Sequence, residues 1–325
     1  MQTYVFDPVR RGQIMTVPGY YVWCGSIVRT PDGRCHLFLS MWEEKWGFEY
    51  GWATHSKIGY AVSDTPDGEY TFCGIVFDGS GQKNAWDRDS VHNPYVLWHD
   101  GVFYLYYSGN RGDGTYASHT AAQRVGVAYT IDPTAGFTRM DKPLLSPREG
   151  KFDSGGTTNP SVCRMADGRF LMIYKCWSYM GAVKKVVIGA AFADAPTGPW
   201  ERRDTQIFAV DGVPFAAEDP CVYREGDRLY CILKDMGTFY VPDIERSLIR
   251  FTSMDGVTWI KASPLFFHDR TLSFTEYGER TMYRMERPFV YLENDKPRVF
   301  FCAILPEETK EHAYNVHMHI KETEE

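Results

Sequence analysis

Asn93-Pro94-Tyr95-Val96-Leu97, a turn at His99-Asp100-Gly101, then Phe103-Tyr104-Leu105-Tyr106-Tyr107 is the stretch that decides the fold. It joins a proline lead-in, an apolar strand, a tight polar turn and a second strand rich in aromatics. Asp-Gly between two apolar runs marks a hairpin, because these residues accept the positive φ of tight turns. Upstream, the same unit reads Cys24-Gly25-Ser26-Ile27-Val28, turns at Pro31-Asp32-Gly33 and returns as His36-Leu37-Phe38-Leu39. Downstream come Asn159-Pro160-Ser161-Val162-Cys163 with Ala166-Asp167-Gly168, then Asp219-Pro220-Cys221-Val222-Tyr223 with Glu225-Gly226-Asp227. The last copy is Arg287-Pro288-Phe289-Val290-Tyr291 with Glu293-Asn294-Asp295. Starts at 24, 93, 159, 219 and 287 lie 60 to 69 residues apart.

A third apolar run follows in each unit, at 58–62, 125–129, 187–191, 248–252 and 316–320. Four of the five then carry a turn and an aromatic that opens a fourth strand: Tyr70, Phe137, Trp200 and Trp259. Repeated four-stranded antiparallel units stack into a propeller, whereas a long β-sandwich leaves the fivefold recurrence unexplained. The predicted fold is all-β: one five-bladed β-propeller of four-stranded antiparallel blades, a single domain over residues 1–325. The fifth unit lacks an outer strand, and Thr3-Tyr4-Val5-Phe6 is expected to supply it, since an open edge leaves backbone groups unpaired.

Composition bounds the partners. The chain has 325 residues, 44% hydrophobic and 15% aromatic, with a formal net charge of −7 and charges of both signs interspersed. No Lys/Arg cluster offers a footprint for a phosphate backbone, so nucleic acid is not an expected partner. No uncharged apolar run approaches the roughly 18–20 residues of a membrane span. No basic segment followed by an apolar one opens the sequence, although a trimmed secretory leader would leave the same picture. Eight cysteines form no Cys-x-x-Cys pair and sit mostly in apolar runs, which reads as reduced, buried thiols and a cytoplasmic location.

The connections point to a site. In a meandering blade, the turns between first and second strands lie on one face, and here they are short and polar. The opposite face receives the connections 41–56, 108–123, 175–185 and 235–246, and the lead-ins 79–92, 146–158, 208–218 and 264–286. Connections of that length in a compact domain are functional in most cases. They carry Trp42, Trp46, Trp52, Trp86 and Trp177 among other aromatics. The residues that open the innermost strands are Trp23-Cys24, His92-Asn93, Thr158-Asn159, Glu218-Asp219 and Glu286-Arg287. Carboxylates converging on an aromatic-lined pocket suit glycoside hydrolysis, where one acid protonates the leaving oxygen and a second carboxylate attacks or activates water.

The motifs Phe38-Leu39-Ser40-Met41-Trp42, Ala61-Val62-Ser63-Asp64-Thr65-Pro66-Asp67-Gly68, His92-Asn93-Pro94, Ala217-Glu218-Asp219-Pro220 and Glu286-Arg287-Pro288 resemble those of the five-bladed propeller glycoside hydrolases. Within that superfamily, which includes families 43, 32, 68, 117 and 130, the chain looks most like the family 43-like proteins. The resemblance implies a general-acid Glu two residues before the proline of the fourth unit, and Glu218 matches it. It also implies a general-base Asp opening the first unit, where this chain has Cys24-Gly25, and a pKa-tuning Asp where it has Asn159. The partner carboxylate is then Glu286, Asp219, or a loop acid such as Asp87, Asp89 or Asp153. The candidate catalytic residues are Glu218, Glu286 and Asp219. The candidate substrate contacts are His92, Asn93, Asn159, Arg287, Trp42, Trp86 and Asp153. Glu218 is expected to be the proton donor, its pKa raised by neighbouring carboxylates and an apolar wall.

The expected activity is exo-acting cleavage of an oligosaccharide or small glycoside, with no cofactor beyond an ion or water in the channel. Phosphorolysis, with Arg287, Arg284 or Lys234 holding phosphate, and non-catalytic carbohydrate binding are the alternatives.

Overall fold

The structure, a computed structural model, describes residues 4–321. Five antiparallel sheets follow one another along the chain. The first blade is Tyr20–Arg29, Cys35–Glu43, Lys57–Ser63 and Thr71–Phe77. The second is Ser90–His99, Val102–Asn110, Arg124–Thr130 and Thr138–Arg139. The third is Gly156–Arg164, Phe170–Met180, Val183–Ala193 and Glu201–Arg202. The fourth is Ala217–Glu225, Arg228–Asp235, Leu248–Ser253 and Ile260–His268. The fifth takes Arg284–Glu293, Lys296–Leu305 and Tyr314–Lys321 from the end of the chain. The N-terminal pairs Val5–Phe6 and Ile14–Met15 add on to Tyr314–Lys321 and complete it.

Burial explains why these runs read as continuous rather than alternating. Cys35–Glu43 is buried at every position but the last, because blades pack face to face and both sides of an inner strand are covered. Thr71–Phe77, on the rim, alternates exposed and partly buried positions up to Phe77, which is buried. The core is a ring of interblade clusters. Phe38, Ile58, Val96 and Leu105 sit between the first and second blades, and Ile173, Val222, Leu233 and Ile249 between the third and fourth. Cys221, Val290 and Phe300 sit between the fourth and fifth.

The innermost strands share a device that the repeat had marked with proline. Each shifts register where it meets its neighbour, between Trp23/Gly25, His92/Tyr95, Thr158/Ser161, Glu218/Cys221 and Glu286/Phe289. At every one of these bulges a non-glycine residue has positive φ: Cys24 48°, Asn93 54°, Asn159 50°, Asp219 57° and Arg287 55°. Proline follows in four of the five, at the unpaired position where a missing N–H costs nothing. In the first blade the follower is Gly25, and a Cβ there would meet Asn315 Oδ1 at 2.7 Å.

Two connections differ from expectation. Residues 175–185 are not a loop, because Phe170–Met180 and Val183–Ala193 pair as one long hairpin up to its tip. The stretch 264–286 holds the end of Ile260–His268 and a separate hairpin, Thr271–Phe274 with Gly278–Thr281. The expected closure is present at Val5 and Phe6, which face Lys321 and Ile320, while Thr3 lies outside the described residues. Phe6 packs on Phe267 and Phe300, with ring centroids 5.5 and 5.7 Å away. A chain lacking residues 1–15 should therefore lose on the order of 10 °C in Tm by scanning calorimetry and aggregate through the bared edge. An unchanged Tm would show the ring closed without these strands.

Candidate active site

The bulges turn side chains inward and stack them in two layers at the mouth of the central channel. The lower layer is the left-handed ring itself. Cys24 Sγ donates to Asn93 Oδ1 at 2.9 Å, Asn93 Nδ2 to Asn159 Oδ1 at 2.5 Å and Asn159 Nδ2 to Asp219 Oδ1 at 2.8 Å. Arg287 closes on Asp219 through its Nη1 at 3.3 Å and its backbone N–H at 3.2 Å. Asn and Asp tolerate this backbone better than other residues with a Cβ, so three of the five positions suit their conformation. The upper layer is the residue before each: Trp23, His92, Thr158, Glu218 and Glu286.

Opposite that layer, across the ladder, stand Ser40, Ser108, Lys175, Lys234 and Ala303. The two serines accept the N–H groups of Asn93 and Asn159 in the next blade, at 2.9 and 3.0 Å. The two lysines reach the glutamates of the next blade instead. Lys175 Nζ donates to Glu218 Oε2 at 2.9 Å. Lys234 Nζ sits 2.6 Å from both Glu218 Oε1 and Glu286 Oε1. One oxygen from each of Glu218, Asp219 and Glu286 lies within 4.8 Å of the others, a spacing a cation bridges. The cations that meet them here are Lys175, Lys234 and Arg287.

Above these layers the cavity encloses about 320 Å³. Its two sides differ. Over the first two blades it is aromatic: Trp23, Trp42, Phe48, Trp52 and Tyr116. Phe48 and Trp52 come from helix α1, Phe48–Thr54, which packs against helix α2, Tyr116–Ala121, with Trp52 edge-on to Tyr116 at 5.5 Å. Over the other three blades it is charged.

The electrostatics reverse one expectation. Burial alone would raise the Glu218 carboxyl, but the ammonium groups of Lys175 and Lys234 outweigh it and hold the pKa well below the usual carboxylate range. Glu218 is therefore ionised, not the protonated acid expected from the sequence. Glu286 is pushed up, first by burial and then by Glu218 and Asp219, with the Lys234 ammonium opposing. His92 is buried, accepts or donates to Ser56 Oγ at 2.7 Å, and is held neutral by burial and by Arg287 and Lys175.

Of the sequence candidates, Glu218, Glu286, Asp219, His92, Asn93, Asn159, Arg287 and Trp42 all line the cavity. Two do not. Asp153 is fully buried between Arg148, at 3.0 Å, and Arg202, at 2.9 Å, with Tyr174 donating to it, so its charge is spent on holding the third blade. Trp86 stacks on Tyr107 at 5.5 Å over Gly109 and Gly126, whose missing side chains make room for its ring. Trp42 is in the wall but only 1% exposed, wedged among Tyr21, Phe48 and His92. Trp52 also lines the cavity and is partly open. Lys175 joins the lining without any local sequence signal, and the end of each second strand, compared across the repeat, is the pattern that exposes it.

No family model matches the chain. A curated relative, the 1,2-beta-oligomannan phosphorylase of Thermoanaerobacter sp. (strain X514), is 30% identical over 93 residues. The match spans 28% of this chain and 30% of that protein. Among solved structures, a family 117 glycoside hydrolase of the marine bacterium Zobellia galactanivorans superposes with TM-score 0.66 at 16% identity, over 98% of this chain and 89% of that one. The family GH43_1 enzyme of Xanthomonas citri in complex with xylose gives 0.60 at 14% identity, over 98% and 90%. The fold is that of the five-bladed propeller glycoside hydrolases.

The two tryptophan positions separate by experiment. Trp86→Ala should leave the affinity for any glycan that quenches the native fluorescence unchanged, whereas Trp52→Ala should weaken it about tenfold with Tm preserved. Trp42→Ala should instead cost about 3–5 kcal/mol in denaturant unfolding. A loss of glycan affinity in Trp86→Ala would restore that residue to the site.

Proposed function

We propose that this protein cleaves the terminal glycosidic bond of an oligosaccharide or small glycoside, with Glu286 as proton donor and Glu218 as the ionised carboxylate. The observation that carries the reading is the single ammonium of Lys234 set 2.6 Å from both glutamates on the floor of an aromatic-walled cavity. Two carboxyl groups whose surroundings drive their pKa values apart are what acid–base cleavage requires. The α1 helix covers one side of the cavity, which supports a blind pocket receiving a chain end.

In the first step Glu286 gives its proton to the glycosidic oxygen as that bond breaks, and a Glu218 oxygen bonds to the anomeric carbon. In the second, water attacks that carbon, Glu286 takes back a proton and the Glu218 carboxylate leaves. The short spacing supports this double displacement: oxygens of the two carboxyl groups approach within 4.8 Å and share one ammonium, closer to the roughly 5–5.5 Å of retaining pairs than to the roughly 6.5–9.5 Å that admits a water. His92, Asn93 and Asn159 serve as hydroxyl contacts, and Asp219 with Arg287 fixes the floor. Phosphorolysis is the second reading, favoured by the partial match to a phosphorylase and by the cations at the floor. It predicts strict dependence on phosphate and a sugar 1-phosphate product.

Glu286→Gln should slow cleavage of substrates with poor leaving groups by on the order of 10²–10⁴-fold and spare activated aryl glycosides. Glu218→Gln should slow both alike. Equal losses in Glu286→Gln on both substrate types, or product of inverted configuration by NMR, would overturn the assignment.

The pH dependence follows from the two directions. Glu286, raised, stays protonated to higher pH, and the rate falls as pH climbs through its pKa. Glu218, lowered, stays ionised until pH drops below the ordinary glutamate value of about 4.3. Lys234→Met removes the charge that lowers both, so both limbs of the pH–rate profile should move to higher pH. A profile that keeps its limbs would separate Lys234 from the titration of either glutamate.

A further inference from the structure

We infer that the sugar accepted by this cavity carries an oxyanion, a carboxylate or a sulfate ester, and that Arg246 receives it. The inference rests on the glycosidase reading above and adds the substrate class. The chain as a whole carries a net charge of −7, yet its central cavity is lined by five Lys and Arg residues against four Asp and Glu. Pairing consumes the acids. Glu49 is held by Arg284 at 2.9 Å and Lys310 at 2.8 Å, Glu218 by two lysines, and Asp219 by Arg287. Glu286, pushed toward its neutral form, offsets still less positive charge.

Arg246 is the cation left over. It lines the cavity, its Nε is buried without a hydrogen-bond partner, and no carboxylate of the described residues comes within 4.0 Å of it. A partly desolvated guanidinium with idle donors is unfavourable unless something fills them, and its fork fits carboxylate and sulfate two oxygens at a time.

The residue is also held in place for that task. Its backbone is left-handed, at φ 59°, a conformation a side chain of this size adopts only where its surroundings enforce it. The enforcing group is Asp235, fully buried, whose carboxylate accepts the N–H groups of Gly237, Phe239, Tyr240 and Val241 and winds the 236–247 loop around itself. Arg246 N–H then closes on Gly237 C=O at 3.0 Å.

Depth assigns the oxyanion to the sugar rather than to a co-substrate. Lys234, at the floor, makes the last pair of its ladder with Leu248, and Arg246 lies beyond that end, in the 236–247 loop that rims the cavity. Attack on the anomeric carbon belongs at the floor between the glutamates, so a group opposite Arg246 sits on the ring's far side.

Isothermal titration tests this with D-glucuronate, D-galacturonate and D-galactose 6-sulfate, against D-glucose, D-galactose and inorganic phosphate. At least one anionic sugar should bind about tenfold or more tightly than its neutral counterpart. Arg246→Gln should abolish that preference while leaving neutral-sugar affinity unchanged, and rising salt should weaken only the anionic ligand. No anionic preference, a preference that survives Arg246→Gln, or binding of inorganic phosphate alone would overturn the inference. Should Arg246→Gln fail to fold, an anionic affinity insensitive to salt in the parent protein overturns it equally. Binding needs no turnover, so an anionic preference kept in Glu286→Gln separates this outcome from failure of the cleavage mechanism.

Discussion

Everything at the centre of this molecule depends on five residues held in the left-handed region around one axis. For a residue with a Cβ that conformation costs roughly 1–2 kcal/mol, and a typical intramolecular hydrogen bond returns about 1 kcal/mol, more when one partner is charged. The ring survives because Cys24, Asn93, Asn159, Asp219 and Arg287 hand hydrogen bonds from one blade to the next. In four of the five blades the residue before the bulge (Trp23, His92, Glu218 and Glu286) also faces the cavity. Backbone geometry thus fixes where chemistry is placed, and side-chain identity decides what chemistry it is. At the first-blade position Cys24 keeps its place in the ring, its thiol bonded to Asn93 and its pKa driven up to about 12 by burial, and so offers no acid–base group there.

The consequence appears one residue outward, at Glu218 and Glu286. Two ionised carboxylates with oxygens within 4.8 Å of each other repel by roughly 3 kcal/mol or more at an effective dielectric of about 20, enough to push one proton on unless a cation intervenes. Lys234 intervenes between both, and Lys175 adds its charge to Glu218 alone. The asymmetry between the two glutamates is therefore set by one extra ammonium from the third blade. In the first two blades the same position is a serine that caps backbone N–H groups. The pseudosymmetry of the repeat is kept in the backbone and broken in charge.

The propeller was legible because a repeat of hairpins with proline lead-ins has few other solutions, and the inner-strand openings located the floor for the same reason. What stayed hidden were partners supplied by distant sequence. Asp153 reads as a loop acid until Arg202, on the outer strand of its own blade, is seen to neutralise it. Trp86 reads as a platform until Gly109 and Gly126 show the slot it fills. Glu218 reads as a crowded, protonated acid when only neighbouring carboxylates are counted. The lysines that reverse this lie across the strand and across the blade, at spacings no local pattern signals. The long hairpin at 175–185 reads as a loop in sequence because Lys184 and Lys185 break its apolar run, while backbone pairing continues regardless of polarity.

Outside the floor, the two walls are shaped by different means, and this bears on how such a site acquires specificity. The aromatic wall hangs on α1, whose Gly51 must lack a side chain because a Cβ there would stand 2.3 Å from Trp42. The charged wall hangs on a loop wound about the buried Asp235 carboxylate, a negative charge satisfied by backbone N–H groups in place of a counter-cation. The ion pairs of the two glutamates with Lys175 and Lys234 are made by neither device. On the proposed function, a change of sugar would be made by redrawing Trp52 or the 236–247 loop, with Glu218 and Glu286 still held by Lys234 and by the bulges beneath them.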